Sequence, residues 1–262
     1  MYNIIKKYLQ HGIVTIEYPK KAVNTEFITG KPIVDHSSCT KCEECVKRCP
    51  SSAICLQDKI GFNLDDCLFC SLCADICPER AITMSHDFEL SKKKREELRA
   101  APLIIEERKI PSQDYELLGN NLKVKINSYF GRSLGIREVD AGSCNGCENE
   151  VNALNSPYND LERFGMHFVA SPRHADMLLV TGPAVRNMEL ALIKTYNATP
   201  EPKLVVAVGA CACSGGIFKD SYSTRNGIDC ILPVDVYIPG CPPRPQALLY
   251  GILMAIESIG KM

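Results

Sequence analysis

Residues 39–50, CTKCEECVKRCP, and residues 67–78, CLFCSLCADICP, are two copies of one pattern, C-x2-C-x2-C-x3-C-P. Each copy is followed by a short apolar strand signal, Ser52-Ala53-Ile54 after the first and Arg80-Ala81-Ile82-Thr83 after the second. Residues 38–84 are therefore an internal repeat, and its unit is built around four cysteines and a proline.

The spacing dictates the chemistry. Three thiolates at two-residue intervals can wrap one face of an iron-sulfur cubane, but a loop this short cannot enclose all four irons. The fourth ligand must arrive from elsewhere, and in two-cluster proteins the last cysteine of each run ligates the other cluster. On this pattern Cys39, Cys42, Cys45 and Cys77 hold one 4Fe-4S cluster, and Cys67, Cys70, Cys73 and Cys49 hold a second. A pair of tetrahedral zinc sites also uses CxxC pairs, yet three such cysteines followed by Cys-Pro oversupply a four-ligand ion. Cys55 stands outside the runs and reads as a small buried hydrophobe.

Composition sets the frame for this repeat. The chain has 262 residues, 45% of them hydrophobic and 23% charged, with a formal net charge of -1. That length predicts about two domains, and the charge balance offers no polybasic surface for nucleic acid. Fifteen cysteines in metal-like spacings, with no signal-peptide pattern between Met1 and Tyr18, predict a reducing cytoplasmic setting. No apolar run approaches the roughly 20 residues of a membrane-spanning helix, so any membrane attachment is expected through partners. Ile4, Ile5, Tyr8 and Leu9 are spaced for one helical face, which could dock on a partner or pack on its own domain. The run Ser91 to Arg99, SKKKREELR, reads as a solvated helix face and, with Pro102 and Pro111, as a connector.

From about Leu122 the pattern changes to alternating strands and helices. Phe168 to Ala170, Met177 to Thr181, Leu204 to Val208 and Val236 to Ile238 are strand-like, while Glu148 to Leu154, Arg186 to Tyr196 and Pro245 to Ile259 have helical spacing. This alternation predicts a doubly wound α/β domain whose ligands sit beyond the carboxyl ends of a parallel sheet. Three cysteine loops fall between a strand and a helix: Ser143-Cys144-Asn145-Gly146-Cys147-Glu148, Gly209-Ala210-Cys211-Ala212-Cys213-Ser214-Gly215-Gly216 and Pro239-Gly240-Cys241-Pro242-Pro243-Arg244-Pro245. Converging, they can hold a third 4Fe-4S cluster, with the helix at Cys147 aiming its amides at the negative cluster. Gly209 to Gly216 lacks the Gly-Lys-Ser/Thr and GxGxxG signatures of nucleotide cradles, and a lone redox CxxC would not need the other loops. Cys213 and Cys230 read as structural thiols.

At these residues the chain resembles a known family. Residues from about 121 onward resemble the small electron-transfer subunit of membrane-bound, energy-converting NiFe hydrogenases of the formate-hydrogenlyase type, and more distantly the terminal-cluster subunit of respiratory complex I. The matching stretches are Glu138 to Glu148, Ser171-Pro172-Arg173-His174-Ala175-Asp176, Val208-Gly209-Ala210-Cys211 and Ile238 to Pro245. Residues 1–90 resemble the two-cluster ferredoxin subunit of the same complexes, including Gly30-Lys31-Pro32 and His86-Asp87-Phe88-Glu89-Leu90. The resemblance implies two neighbouring subunits fused in one chain: a ferredoxin-like domain at 1–90, a linker at 91–120, and a flavodoxin-like doubly wound domain at 121–262.

Carried over position by position, the resemblance implies that Cys144, Cys147, Cys211 and Cys241 ligate the cluster nearest the active site, with Cys211 rather than Cys213 in the family's Gly-x-Cys. It implies further that Arg173 and His174 lie near this cluster, where charge or hydrogen bonds would raise its potential. The first loop has its cysteines two residues apart, as in hydrogenases, whereas complex I uses adjacent ones. The resulting expectation is an electron-transfer subunit with three 4Fe-4S clusters and no catalytic residue of its own, peripheral on the cytoplasmic face of the membrane. Its expected partners are a NiFe hydrogenase large subunit, membrane-arm subunits, and an electron-donor subunit or ferredoxin. The alternatives are a complex I-like ion-pumping oxidoreductase reducing quinone or a sulfur compound, and a zinc-stabilised interaction module.

Overall fold

The computed structural model describes residues 6–7, 10–19, 28–99, 124 and 126–258. The helical face of Ile4, Ile5, Tyr8 and Leu9, and residues 100–120 of the connector, lie outside the described residues. The cysteine repeat folds as two short antiparallel ribbons. Strand β1, Pro32–Val34, carries helix α1, Glu44–Arg48, after it, and the ribbon β2, Ile54–Leu56, with β3, Ile60–Phe62, follows. Helix α2, Leu72–Asp75, leads to β4, Ile82–Met84, which returns to pair with β1. The repeat extends to the backbone: Lys41 and Glu43 in the first run, and Phe69 and Ser71 in the second, all take the left-handed conformation. Non-glycine residues do so at a cost of about 1–3 kcal/mol each, and here they do it at matching positions in both cysteine loops.

The second half is a five-stranded parallel sheet. Its strands are β5, Leu134–Asp140, β6, Met166–Phe168, β7, Met177–Thr181, β8, Leu204–Val208, and β9, Val236–Ile238. They stand in the order β6-β5-β7-β8-β9, which is the flavodoxin-like 2-1-3-4-5 arrangement. Helices α3, Gly146–Ala153, α4, Arg186–Ala198, α5, Gly209–Ser214, and α6, Pro245–Ser258, cover it. Strand β5 escapes the apolar-run reading because Arg137, Glu138 and Asp140 occupy its outer end and only Leu134, Gly135 and Ile136 are buried. Burial on both faces explains the unbroken apolar runs of β7 and β8. Met177 and Leu179 join the core under α6, while Leu178 and Val180 join a second core on the other face.

That second core is shared between the halves, since it also contains Ile54, Phe62, Leu64, Ile82 and Leu98 of the N-terminal half. The charged run 91–99 is accordingly more than a solvated face. Lys92 forms a backbone bridge to Tyr237 beside β9, Leu98 is buried, and the Arg95 side chain is only 14% exposed. Lys93, Lys94, Glu96 and Glu97 do face solvent.

The described part of the N-terminal arm packs against the other half. Thr15 donates its hydroxyl to the Pro157 carbonyl, the Ile16 amide donates to Tyr158, and Ile16, Tyr18 and Ile28 enter the core beneath α6. The Arg163 guanidinium donates to the carbonyls of Ile16 and Tyr18, and Tyr18 reaches back to Glu89 at 2.8 Å. Truncating Arg163 to alanine removes two charge-assisted hydrogen bonds, each of the kind worth about 2 kcal/mol. We expect faster amide exchange at residues 15–18 with the β7–β8 core unchanged, measured by hydrogen-exchange mass spectrometry.

Candidate iron-sulfur centres

The first run and the end of the second meet at one pocket. Cys39, Cys42, Cys45 and Cys77 line it together with Ile60 and Ile82. A second, strongly apolar pocket is lined by Cys49, Cys67, Cys70 and Cys73, with Ile54 and Leu72 among its walls. Cys45 borders this pocket as well and is buried between the two. The fold thus crosses the fourth cysteines over, because β1 pairs with β4 and brings the end of each run beside the start of the other. The fourth thiols are held alike. The Ala53 amide donates to Cys49 Sγ and the Ala81 amide to Cys77 Sγ, both at 3.3 Å. Phe69 adds an amide hydrogen bond to Cys67 Sγ.

The third set gathers at the carboxyl end of the parallel sheet. Cys144 follows β5, Cys147 lies in the first turn of α3, Cys211 in α5, and Cys241 follows β9. Glycines permit the approach: a Cβ on Gly209, whose φ is +85°, would stand 2.8 Å from Cys147 Sγ, and one on Gly146 would stand 3.5 Å from Cys144 Sγ. Gly182, with φ +83°, lets the β7 turn pass under the Ser143 amide. Glu148 accepts a hydrogen bond from the Thr181 hydroxyl and so pins α3 to β7. Cys213 points away, buried under the carbonyls of Ala207 and Ile238. Cys230 is exposed beside Asp229, and Cys55 is half-buried with its thiol toward the Gly61 carbonyl.

Electrostatics separates these thiols from ordinary ones. Burial, opposed by the Phe69 amide and reinforced by Cys73, Cys49 and Cys70, pushes Cys67 up to about 12. Burial and Cys70 push Cys73 to about 11, and burial with Cys241 and Cys144 pushes Cys211 to about 12. Cys147 is raised further by burial, the Glu148 carboxylate and the Cys211, Cys241 and Cys144 thiols. Desolvated thiolates crowded together need a counter-charge. A multivalent cationic centre supplies it, and metal binding then expels the thiol protons. Among the described residues, no three His, Cys, Asp or Glu side chains close on a single metal ion. A cubane spreads its four ligands over four irons, and sets of thiols ranged around a pocket fit that demand.

Arg173 and His174 are placed elsewhere than expected. They occupy the turn Pro172–His174, both exposed, and the His174 carbonyl lies against Gly135 at the amino end of β5. Cys144 lies past the opposite end of that strand, roughly 17 Å away at the rise of an extended chain. Strand β6 runs parallel to β5 but pairs only with Leu134 to Ile136, so the turn that follows it stays at the amino end of the sheet, which the apolar-run reading could not see. Conversely, sequence reasoning passed over Asp65 and Asp66, which are fully buried although polar and immediately precede Cys67. A pair of acids between Leu64 and the first cysteine of the second run was the only signal.

Comparison with known proteins now finds matches to both halves. Residues 144–255 match the family model for the NADH ubiquinone oxidoreductase 20 Kd subunit, and residues 31–96 match the 4Fe-4S dicluster domain. The fold and its cysteine-lined pockets thus define an iron-sulfur protein. The chain belongs to the NADH ubiquinone oxidoreductase 20 Kd subunit family, with a dicluster domain ahead of that module. It is 51% identical over 139 residues to the probable membrane-bound hydrogenase subunit mbhJ of Pyrococcus furiosus, covering 53% of this chain and 83% of that relative. It is 49% identical to formate hydrogenlyase subunit 7 of Escherichia coli, covering 52% of this chain and only 53% of that relative. It is 56% identical to an NADH-quinone oxidoreductase subunit of Geotalea daltonii over 44% of this chain and 67% of that one. A chain of the membrane-bound sulfane sulfur reductase, an archaeal respiratory membrane complex, is 39% identical at a TM-score of 0.46, over 52% of this chain and 75% of that one.

Two outcomes follow for the thiols. Gly209→Ala drives a methyl into Cys147 Sγ and strains a left-handed position, so on the expectation of a cubane at the third set the purified chain should lose about 4 irons by colorimetric assay. In the cluster-free chain the raised thiols bind protons more tightly folded than unfolded. Their stabilising contribution is full below the ordinary thiol value of 9.0 and declines as pH rises through about 12. Urea midpoints of that form should therefore fall steadily above pH 9.0.

Proposed function

We propose that this chain is the electron-transfer subunit of a membrane-associated NiFe hydrogenase complex, relaying electrons through three 4Fe-4S clusters to or from a NiFe site on a partner large subunit. In this reading residues 1–90 are the entry domain, 91–120 the connector and 121–262 the domain that faces the large subunit. Cys39, Cys42, Cys45 and Cys77 hold the first cluster, Cys67, Cys70, Cys73 and Cys49 the second, and Cys144, Cys147, Cys211 and Cys241 the third.

The observation that carries the reading is the junction between the second and third sets. The Cys241 thiol is raised by burial, then by Cys144 and then by Cys70 of the ferredoxin half. Leu68, Phe69, Cys241 and Pro242 line one cavity of about 210 Å3 at this junction. The second set is therefore the neighbour of the third, while the Cys77 pocket lies on the far side of Cys45. The chain's own residues supply spacing, burial and amide hydrogen bonds to sulfur, which tune potentials, while the cofactors carry the redox chemistry.

The two-residue spacing of Cys144 and Cys147 favours the hydrogenase reading. The 56% identity to an NADH-quinone oxidoreductase subunit keeps a second reading in view, a complex I-like ion-pumping oxidoreductase reducing quinone or a sulfur compound. No helix among the described residues is long and apolar enough to cross a membrane. Attachment through membrane-arm subunits, on the cytoplasmic face, and delivery by a donor subunit or ferredoxin complete the proposal.

Anaerobic purification of the native complex tests it. We expect about 12 irons per chain, the content of three cubanes, a copurifying large subunit with two CxxC pairs and nickel, and hydrogen evolution from a low-potential donor. A nickel-free large subunit with quinone or sulfur reductase activity would transfer the relay to the second reading, and a colourless zinc protein would remove the relay altogether.

A further inference from the structure

The acids that precede Cys67 are tied to the other half of the chain. Asp65 is 0% exposed and its Oδ2 accepts from Arg95 Nε at 2.9 Å and from Arg99 Nε at 2.8 Å. Arg95 also donates to Asp229 at 3.1 Å. Asp66, 1% exposed, takes both carboxylate contacts from Lys219, at 3.1 and 3.0 Å. The Ser214 hydroxyl donates to the Asp65 carbonyl at 2.7 Å. Ser214 closes α5, the helix that carries Cys211.

The connections run from the two residues before Cys67 to the last residue of α5, which bears Cys211, and to Lys219 beyond it. Three acids, Asp65, Asp66 and Asp229, face three bases, Arg95, Arg99 and Lys219, so the network places no net charge beside either thiol set. Stability does not account for it: buried ion pairs generally give no more than apolar packing of the same volume, whereas stripping one partner is costly. What such a network does supply is one geometry, because the planar Arg95 guanidinium must meet Asp65 through Nε and Asp229 through Nη1 at once, which leaves it few orientations. The second core continues through Leu64 and Leu98, whose backbones are hydrogen-bonded at 2.8 Å, but apolar packing alone tolerates sliding.

We propose that Asp65, Asp66, Arg95, Lys219 and Ser214 are positioning residues that set the separation between the second and third cluster sites, acting through the Cys67 loop and α5. The proposal rests on the three-cluster reading above.

The test uses the full-length chain, anaerobically purified and reduced, with electron paramagnetic resonance reading the magnetic splitting between neighbouring reduced clusters. The parent must first show both cluster signals and full iron, and a parent without them removes the three-cluster reading and this proposal together. With them present, Arg95→Gln should keep its iron and lose the splitting, while Arg95→Lys, which keeps the charge, should regain part of it. Lys219→Met changes a side chain that is 35% exposed, against 14% for Arg95, so it decides the matter if Arg95→Gln fails to fold. The splitting should shrink in Lys219→Met as well. Arg225→Gln, which breaks the Glu189 pair away from the joint, should leave it at the parental value. Full iron with parental splitting in Lys219→Met and in any folded Arg95→Gln would overturn the proposal, as would an equal loss in Arg225→Gln.

Discussion

A cubane must receive four thiolates from directions that no single short loop can offer, and the rest of this architecture follows from that constraint. In the N-terminal half the solution is an exchange. The pairing of β1 with β4 folds the repeat onto itself, so that Cys49 stands with the second run and Cys77 with the first. In the C-terminal half the proposed third set meets the same constraint by convergence, since parallel strands aim three separate loops at one crevice. Both need backbone that ordinary residues avoid. The left-handed positions at Lys41, Glu43, Phe69, Ser71 and Asn145, each beside or between cysteines of these sets, are its common expression.

The two solutions sit on one body because their packing is continuous. The sheet is apolar on both faces, and one face shares its core with the ferredoxin ribbons while the other takes in the arm around Tyr18. Polar contacts then select among the arrangements that apolar burial would allow. Asp65 and Asp66 do this on one side of the joint, and Arg163 with Tyr18 and Glu89 on another. Dispersion and burial hold the halves together, and directional hydrogen bonds give them a register.

Much of this was legible in the residues. The repeat spacing pointed to the two groups of cysteines that line the N-terminal pockets, and the alternation after Leu122 stated a doubly wound sheet whose β7, β8 and β9 match the apolar runs residue for residue. What was illegible was whatever depends on pairing. Strand β5 hides behind Arg137 and Glu138 because its outer half needs no apolar cover. Arg173 and His174 were set near the third site by the family resemblance, and the residues themselves do not reveal which end of the sheet the turn after β6 occupies. The charged run at 91–99 concealed Arg95 and Leu98 because charge counts cannot tell a solvated lysine from an arginine facing a buried aspartate.

The hydrogen bond from Arg163 to the Tyr18 carbonyl spans 145 residues of chain. During synthesis the cysteine repeat is complete long before its counterpart at Arg163 emerges, and domains fold in the order in which they are made. The arm is thus a late closure, coming after both cysteine runs have had time to fold. A chain interrupted between the halves would leave Ile16 and Tyr18 as exposed apolar residues with nowhere to go. The covalent link does more than keep two modules at high mutual concentration: it leaves residues 15–18 without their seat until Arg163 and the core around it have been made.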